Sequence, residues 1–589
     1  MSEWPGRRVE HHDAVRRGSR SSVPPPEGGR GRGSGLRRQL PVAGSQSSAG
    51  WSEGLGAPSA TAYSGRVHPR YLPSPVGLVA LVAGVGLALT FEPVGLAFLL
   101  PVALAGFFWC VRGRSARSGA GLGLVFGAGF VFTLVLWLRV IGWDALLALG
   151  SFQTLYFAAL GAGLARVSRL RWWPLWTAVV WLGVEVVRGT WPLGGFTWGR
   201  LGFATIDTPY AGWLPWVGAN GTGLVVAGSG ALLLWAALWV RERPRPVAGV
   251  LAGGTVAVLV PGLLGSGPLG WVLDERGTTT VAVVQGDVPG DGDDLLAYNR
   301  EVTQSHLDLT RDLGADVAAG VVPQPDLVLW PENSTAVDPF RDRSLRAGIE
   351  AAVDAVDAPV MVGAIVDAPD ESQVLNQGIV FHPGTGAGDR YTKRHPVAFG
   401  EYIPFRAALG SRNFGRLDVI PRDMLSGTRT TPVRVDGLRV AGSICFDIAY
   451  DDAIADQVRG GAEILTVQTS NALFIHTGQI EQQFAISRVR ALETGRTVVV
   501  AAVNGRSGVI GPDGEVVEGI EPRTRSVLVR EVGLVGGTPP SQVLGPWLGR
   551  IAVLVALIAV AAAGTTRRPA LPYRRRRTGR AQEHEVGAR

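Results

Sequence analysis

This 589-residue chain has almost no lysine: of its 56 basic residues only Lys393 is a lysine, and every other is an arginine. Cysteine is nearly as scarce, at two, and charged residues make up only 18 % of the chain while apolar ones reach 46 %. Each shortage excludes something. So little charge argues against an ordinary soluble protein and brings in the membrane class. Two cysteines, Cys110 and Cys445, cannot build a disulfide-stapled scaffold. The eight histidines are scattered and no Cys/His spacing fits a metal site, so neither a metal nor another cofactor is expected. No apolar core follows within the first thirty residues, which argues against a cleavable signal peptide.

What lysine there is therefore carries information. A composition that drifts away from lysine keeps it where arginine cannot substitute, because an ammonium is a compact charge and a guanidinium a wide planar fork. The bland alternative is a surface charge left by accident.

Residues 1–72 are rich in Gly, Ser, Pro and Arg without apolar periodicity and read as a disordered basic tail. Apolar runs follow near 76–91, 94–111, 119–141, 144–165, 173–189, 218–240 and 247–266, with a last one near 546–563. Most approach the ~20 residues that cross a bilayer. The expected organisation is a membrane domain of seven spans over 73–270, an α/β domain over 277–535, an eighth span over 546–563 and a basic tail over 564–589. Cys110, inside an apolar run, reads as a small buried hydrophobe.

Orientation follows from the loops. Arg112, Arg114 and Arg117 follow the second run, Arg166, Arg169 and Arg171 the fourth, and Arg241, Arg243 and Arg245 the sixth; Arg567, Arg568 and Arg574 to Arg577 follow the last. The alternate loops carry little charge: Glu92, Asp144, and Arg200 with Asp207. Arginine clusters stay on the cytoplasmic side, so both termini are expected inside and the α/β domain outside a bacterial plasma membrane. Positive charge split among short loops makes no groove for nucleic acid. The loop at 190–217, with Trp191, Phe196, Trp198, Trp213 and Trp216, is expected at the outer membrane interface or as a re-entrant stretch near a lipid site.

Beyond residue 277 charges return and β-rich runs alternate with helical patterns. Strands are expected at 278–289, 325–333, 358–366, 377–383, 438–447, 462–470 and 497–505, helices at 298–313, 451–459 and 477–494, and a hairpin turn at 512–514. Alternation of this kind means a layered α/β domain. Two reactive side chains, Glu332 and Cys445, close strands, where the backbone is fixed and the following loop opens to substrate. A thiol needs a base to become a thiolate, a carboxylate can be that base, and an ammonium can face the oxyanion that forms. Read singly, each has a structural alternative: a solvated strand end, a surface charge, a packed thiol.

In order and with their flanks, these residues resemble the nitrilase superfamily and its membrane branch, the apolipoprotein N-acyltransferases. The matching stretches are VVQGDVP (283–289), LWPEN (329–333), YTKRHPVAFGEYIPF (391–405), SICFDIAY (443–450), TSNALF (469–474), RVRALETGR (488–496) and AAVNGRSGVIGPDG (501–514). The resemblance implies an αββα sandwich with Glu332 as general base, Lys393 as oxyanion stabiliser and Cys445 as nucleophile. It implies that Glu401 orients Lys393 and substrate, and that the Phe446 N–H is a second oxyanion donor. Asp447 stands where the family usually has Glu and would carry an orienting hydrogen bond on a shorter arm. Ala472 and Leu473 replace an acid and a Trp common there, and Asp287 replaces an Asn.

The activity implied is transfer of a fatty acyl group from a phospholipid, through a Cys445 thioester, to the amine of a diacylglyceryl-modified N-terminal Cys of a lipoprotein. Phospholipid donor, lipoprotein acceptor and membrane lipid would be the partners. The apolar stretch 396–409 fits a lipid-facing arm or a simple core strand or loop. Two rivals stay open: a membrane-tethered amidohydrolase of the nitrilase type, and a non-enzymatic platform for a glycosyltransferase.

Overall fold

The computed structural model describes residues 74–264, 273–335, 337–409 and 420–565. The tail expected over 1–72, and the last arginine cluster from Arg567 on, lie outside the described residues.

Seven helices come first: α1 (Pro75–Ala88), α2 (Leu99–Val111), α3 (Ala116–Leu134), α4 (Trp143–Val167), α5 (Trp173–Arg188), α6 (Leu214–Trp239) and α7 (Pro244–Leu264). Ser74 and Ser115 cap α1 and α3 by accepting the N–H of Gly77 and Ser118 at 3.1 and 3.2 Å. Four helical stretches of the described chain are long and apolar enough to cross a membrane: 116–134, 143–167, 209–239 and the C-terminal 540–565. α1 and α2 are shorter than the runs that announced them, because Pro93 has no N–H to donate and Gly95, at φ +63°, turns the chain between them. Likewise α3 stops at Leu134 and continues as a 3₁₀ turn over Leu136–Val140.

Backbones pack closely here because side chains are missing where helices cross. A Cβ on Gly84 would stand 2.1 Å from the Phe126 carbonyl oxygen, and one on Gly123 2.0 Å from that of Phe157. Small residues at helix crossings replace the hydrophobic drive that lipid cannot supply. Cys110 is fully buried in this core and its thiol lies 3.6 Å from the Val76 carbonyl oxygen.

The rest of the chain forms two sheets. One runs in the order β13-β1-β2-β3-β4-β5, with β1 (Glu275–Gln285), β2 (Leu327–Leu329), β3 (Val360–Asp367), β4 (Gln373–His382), β5 (Gly386–Thr392) and β13 (Ser526–Val535); the short β6 (Asp423–Met424) pairs with β4. The other runs β12-β11-β10-β9-β8-β7, from β7 (Val433–Val435), β8 (Leu438–Ile444), β9 (Ile464–Thr469), β10 (Val498–Ala502), β11 (Ser507–Ile510) and β12 (Val516–Ile520). Val281, Leu329 and Met361 of the first sheet meet Val440, Ile444 and Val499 of the second in a shared core. Helices α8 (Asn299–Ala318) and α9 (Arg343–Val356) cover the first sheet's outer face. A single turn, α10 (Arg406–Leu409), precedes the second sheet.

α11 (Asp451–Arg459) and α12 (Gln479–Thr494) cover the second sheet, completing an αββα sandwich. Much of their outer side is buried, with Asp452 and Arg459 of α11 left exposed. Ile454, Phe484 and Val489 belong to one continuous core with Phe126, Trp181 and Ala556 of the apolar helices, where the last helix, α13 (Pro540–Thr565), also packs. The sandwich thus lies directly on the helical unit through its α11/α12 layer.

Candidate active site

β2 ends where Pro331 cannot continue the ladder, and Glu332 follows. The strand expected over 325–333 is therefore paired only over Leu327–Leu329. Gly363 on β3 makes room for this end: a Cβ there would lie 2.0 Å from the Pro331 carbonyl oxygen. Lys393 follows β5 immediately. Its N–H donates to the Asn376 carbonyl at 2.9 Å, and its own carbonyl accepts from Gly427 at 2.7 Å. Cys445 follows β8 at φ +51°, a left-handed conformation unfavourable for a side chain bearing a Cβ. The surrounding 3₁₀ turn, Cys445–Ala449, holds it there.

These three residues converge between the sheets. The Lys393 ammonium, fully buried, donates to Glu332 Oε1 at 3.2 Å and to Glu401 Oε1 at 2.7 Å. Glu332 Oε1 also accepts from Asn376 Nδ2 at 2.8 Å, and Oε2 from the Ser470 N–H at 3.0 Å. Glu401 is tied by the Val397 N–H to its Oε2 at 2.8 Å. Burial drives the Cys445 thiol up to about 12; the Glu332 carboxylate adds to the rise and Lys393 works against it. Burial alone would depress Lys393, but the Glu332 and Glu401 carboxylates outweigh it and hold the ammonium well above the ordinary lysine range. The Glu401 carboxyl is raised by burial despite Lys393.

Asp447 is fully buried. It accepts the Tyr391 hydroxyl at 2.9 Å and the N–H groups of Arg394 and His395 at 3.2 and 2.8 Å, so it grips the chain on both sides of Lys393. The Phe446 side chain packs on the loop between α5 and α6. Its ring lies 5.9 Å from that of Phe196 and 5.7 Å from that of Trp198. At the two departures after β9, Ala472 is buried while Leu473 is 59 % exposed. Asp287 pairs with Arg523 at 2.9 Å, away from this cluster.

The tryptophan-rich loop is divided. Trp191 is exposed, but Trp198 is buried under the sandwich and donates to Gln482 Oε1 at 2.6 Å, an oxygen that Trp137 also reaches at 3.0 Å. Trp198, with Phe196 beside Phe446, therefore serves the seam between helices and sandwich. The stretch 396–409 is irregular: Phe399 and Phe405 sit at positive φ and are 51 % and 75 % exposed, while Ile403 is buried.

Sequence reasoning missed Asn376 and Ser470, which hold Glu332. A polar residue inside a strand with no partner in its own segment was the sole available signal for Asn376. Among the described residues no cluster of His, Cys, Asp and Glu is arranged to hold a metal ion.

Residues 83–232 match the apolipoprotein N-acyltransferase N-terminal domain, and residues 280–538 the carbon-nitrogen hydrolase domain. An apolipoprotein N-acyltransferase of Mycolicibacterium smegmatis is 31 % identical over 508 residues, 82 % of this chain and 84 % of that one. One of Azotobacter vinelandii is 29 % identical over 82 % of this chain and 94 % of its own length, and one of Photobacterium profundum 26 % over 80 % and 91 %. Among solved structures, a carbon-nitrogen hydrolase from Helicobacter pylori overlaps 47 % of this chain and 94 % of its own at TM-score 0.33 and 14 % identity. With both domains matched in order and a relative 31 % identical spanned over 84 % of its length, the chain belongs to the apolipoprotein N-acyltransferase family.

Proposed function

We propose that this protein moves a fatty acyl chain from a phospholipid to the N-terminal amine of diacylglyceryl-modified lipoproteins, with Cys445 as the carrier. The observation that carries the reading is the placement of the chain's one lysine: buried, gripped by Glu332 and Glu401, beside the free thiol of Cys445. A family whose members bear this activity's name supplies the substrate class.

The chemistry runs in two exchanges. In the first, the Cys445 thiol passes its proton to Glu332 as Sγ attacks the ester carbonyl carbon. The C–O bond breaks, lysophospholipid leaves with the proton from Glu332, and the acyl group remains as a thioester. In the second, the lipoprotein amine attacks that thioester, Glu332 takes the amine proton, and it returns to Sγ as the C–S bond breaks. Both tetrahedral intermediates carry a negative oxygen that the Lys393 ammonium and the Phe446 N–H face. A thiol held near 12 is protonated at neutral pH, so the thiolate arises only as the base accepts its proton. Burial of the cluster starves the thioester of water, its competing acceptor.

Why lipid follows from what the nucleophile turn touches. Phe446 and Tyr450 lean on the loop between α5 and α6, and the Tyr450 hydroxyl donates to the Gly195 carbonyl at 3.1 Å. A soluble amide substrate would have no use for a site docked on apolar helices. We read α1–α7 and α13 as eight spans and place the sandwich on the outer face of the plasma membrane with both termini inside. The arginine clusters at Arg112–Arg117, Arg166–Arg171 and Arg241–Arg245 support this reading. Asp447 then acts through the Lys393 segment as a positioning residue, and Glu401 as the second anchor of the ammonium.

Mass spectrometry of a lipoprotein N-terminus tests the reading. Cells depleted of the native enzyme and carrying Cys445→Ala should accumulate a diacylated Cys with a free amine, and cells carrying the unmodified chain the triacylated form. Triacylation that persists in the Cys445→Ala strain refutes it. Turnover of small amides without any lipid-derived acyl-enzyme would favour the tethered amidohydrolase instead.

A further inference from the structure

A second group of buried charges lies six residues beyond the nucleophile, at the seam between the helices and the sandwich. Arg200, in the loop between α5 and α6, is 4 % exposed and grips Asp451 with two bonds, Nη1 to Oδ1 at 2.9 Å and Nη2 to Oδ2 at 2.8 Å. Arg490 of α12, 1 % exposed, reaches Asp451 Oδ1 from the other side at 2.8 Å. Asn220 of α6 completes the cluster, donating to Asp451 Oδ2 at 2.9 Å and accepting from Arg200 at 2.7 Å. Two arginines on one carboxylate leave a net positive charge, which Glu493 offsets by pairing with Arg490. Glu493 in turn accepts the Ala219 N–H at 2.9 Å. That N–H is free to point at Glu493 because Gly218, at φ +67°, interrupts α6, and a Cβ on Gly218 would stand 2.6 Å from Glu493 Oε1.

Burying charges is costly unless every one is paired, so a cluster like this is weak evidence of added stability. What it fixes is geometry, and here the geometry is that of the nucleophile turn. Arg490 Nε donates to the Ile448 carbonyl at 2.8 Å, and Arg200 Nη1 reaches the Ala449 carbonyl at 3.4 Å. Both carbonyls belong to the 3₁₀ turn that begins at Cys445. The remaining bonds run to α6, to the loop before it and, through the Glu493 carbonyl that accepts Ser541 Oγ at 2.7 Å, to α13.

We propose that Arg200, Asp451 and Arg490 form a positioning device that fixes the Cys445 turn relative to the membrane helices, so that the thiol meets an ester carbonyl presented from the bilayer. None of the three touches the reacting atoms. The inference rests on the acyl-transfer reading above and assigns that site a dependence the triad alone does not require: a cysteine perfectly formed within its own sandwich still fails on lipid if its turn is not held against the helices. The contacts explain why the holder is ionic. Arg200 and Arg490 also stack over the same ring, Phe203, at 5.0 and 5.5 Å, which orients two forks that a lysine would leave free.

The test separates lipid acylation from thiol chemistry in the full-length protein reconstituted in phosphatidylethanolamine/phosphatidylglycerol vesicles. Two rates are measured by mass spectrometry of the Cys445 peptide: gain of a fatty acyl group from the vesicle lipid, and alkylation by iodoacetamide, which needs no alignment with the bilayer. Arg200→Gln and Asp451→Asn should lower acylation at least tenfold while alkylation stays within twofold of the unmodified protein. Arg200→Lys, which keeps the charge without the fork, should recover part of the loss. Arg488→Gln removes a more exposed pair, Arg488 to Asp207 at 2.8 Å, that crosses the same seam without touching the Cys445 turn, and should acylate normally. Acylation unchanged in Arg200→Gln and Asp451→Asn, or acylation and alkylation falling together, overturns the proposal. An unmodified protein that never gains an acyl group overturns the acyl-transfer reading, and this inference with it.

Discussion

Lys393 occupies a space shaped for an ammonium. It is closed in by two carboxylates at 2.7 and 3.2 Å, with its backbone pinned on both sides. Replacing it with arginine keeps the charge and breaks the fit, because the wider fork cannot enter without displacing Glu332 or Glu401. Lys393→Arg should lower the acylation rate about 10²–10³-fold, the usual loss for one oxyanion donor, with near-native thermal stability measured alongside. Glu332→Gln separates two effects. It removes the proposed base, at an expected cost of about 10²–10⁴-fold in acyl transfer. It also removes a negative charge that raises the Cys445 thiol, so the midpoint of iodoacetamide alkylation against pH should move down relative to the unmodified protein. Lys393→Met should leave that midpoint no lower than in the unmodified protein, since the lost ammonium had favoured thiolate. A downward shift in Lys393→Met would contradict the electrostatic account.

At the level of elements, the site is a product of where strands stop. Lys393 and Cys445 directly follow β5 and β8, Glu332 lies just beyond Pro331 after β2, and two sheets bring the three ends together. Strand ends with reactive side chains were legible in the sequence, because an apolar run ending in a carboxylate or thiol is a local pattern. The residues that hold them were not. Asn376 serves Glu332 across 44 positions and Ser470 across 138, distances that no window of sequence spans. Gly363 is a similar case: its value lies in the absence of a side chain facing Pro331. Gly363→Ala should destabilise the sandwich by ~1–3 kcal/mol, the common range for overpacking, and should lose more activity than stability because the displaced atoms carry Glu332. Chemical denaturation and acylation assays on the same preparation check this.

Across the whole molecule, the apolar runs announced the helical unit and the strand–helix alternation the sandwich, while their mode of contact stayed hidden. The loop at 190–217 looked like an interface belt because tryptophans favour such belts. Trp198 instead satisfies its N–H on Gln482, and Arg200 its fork on Asp451, partners some 250 residues or more away in the chain. Charge distribution among the loops predicts which side each faces. With Cys445 replaced by Ala and Cys110 buried, a cysteine introduced at Asp293 should react with a membrane-impermeant maleimide in intact spheroplasts, and one at Arg243 only after the membrane is opened. Reaction at Arg243 from outside would invert the proposed topology.

The central claim is that Cys445 carries a fatty acyl group taken from phospholipid. The most direct measurement is the mass of the Cys445 peptide after the reconstituted protein is incubated with a phospholipid of defined acyl composition and no acceptor. The account predicts a hydroxylamine-labile mass increase equal to one of those acyl chains, absent in Cys445→Ala and discharged when an amine acceptor is added. An unmodified Cys445, or an acyl group found on another residue, would contradict it.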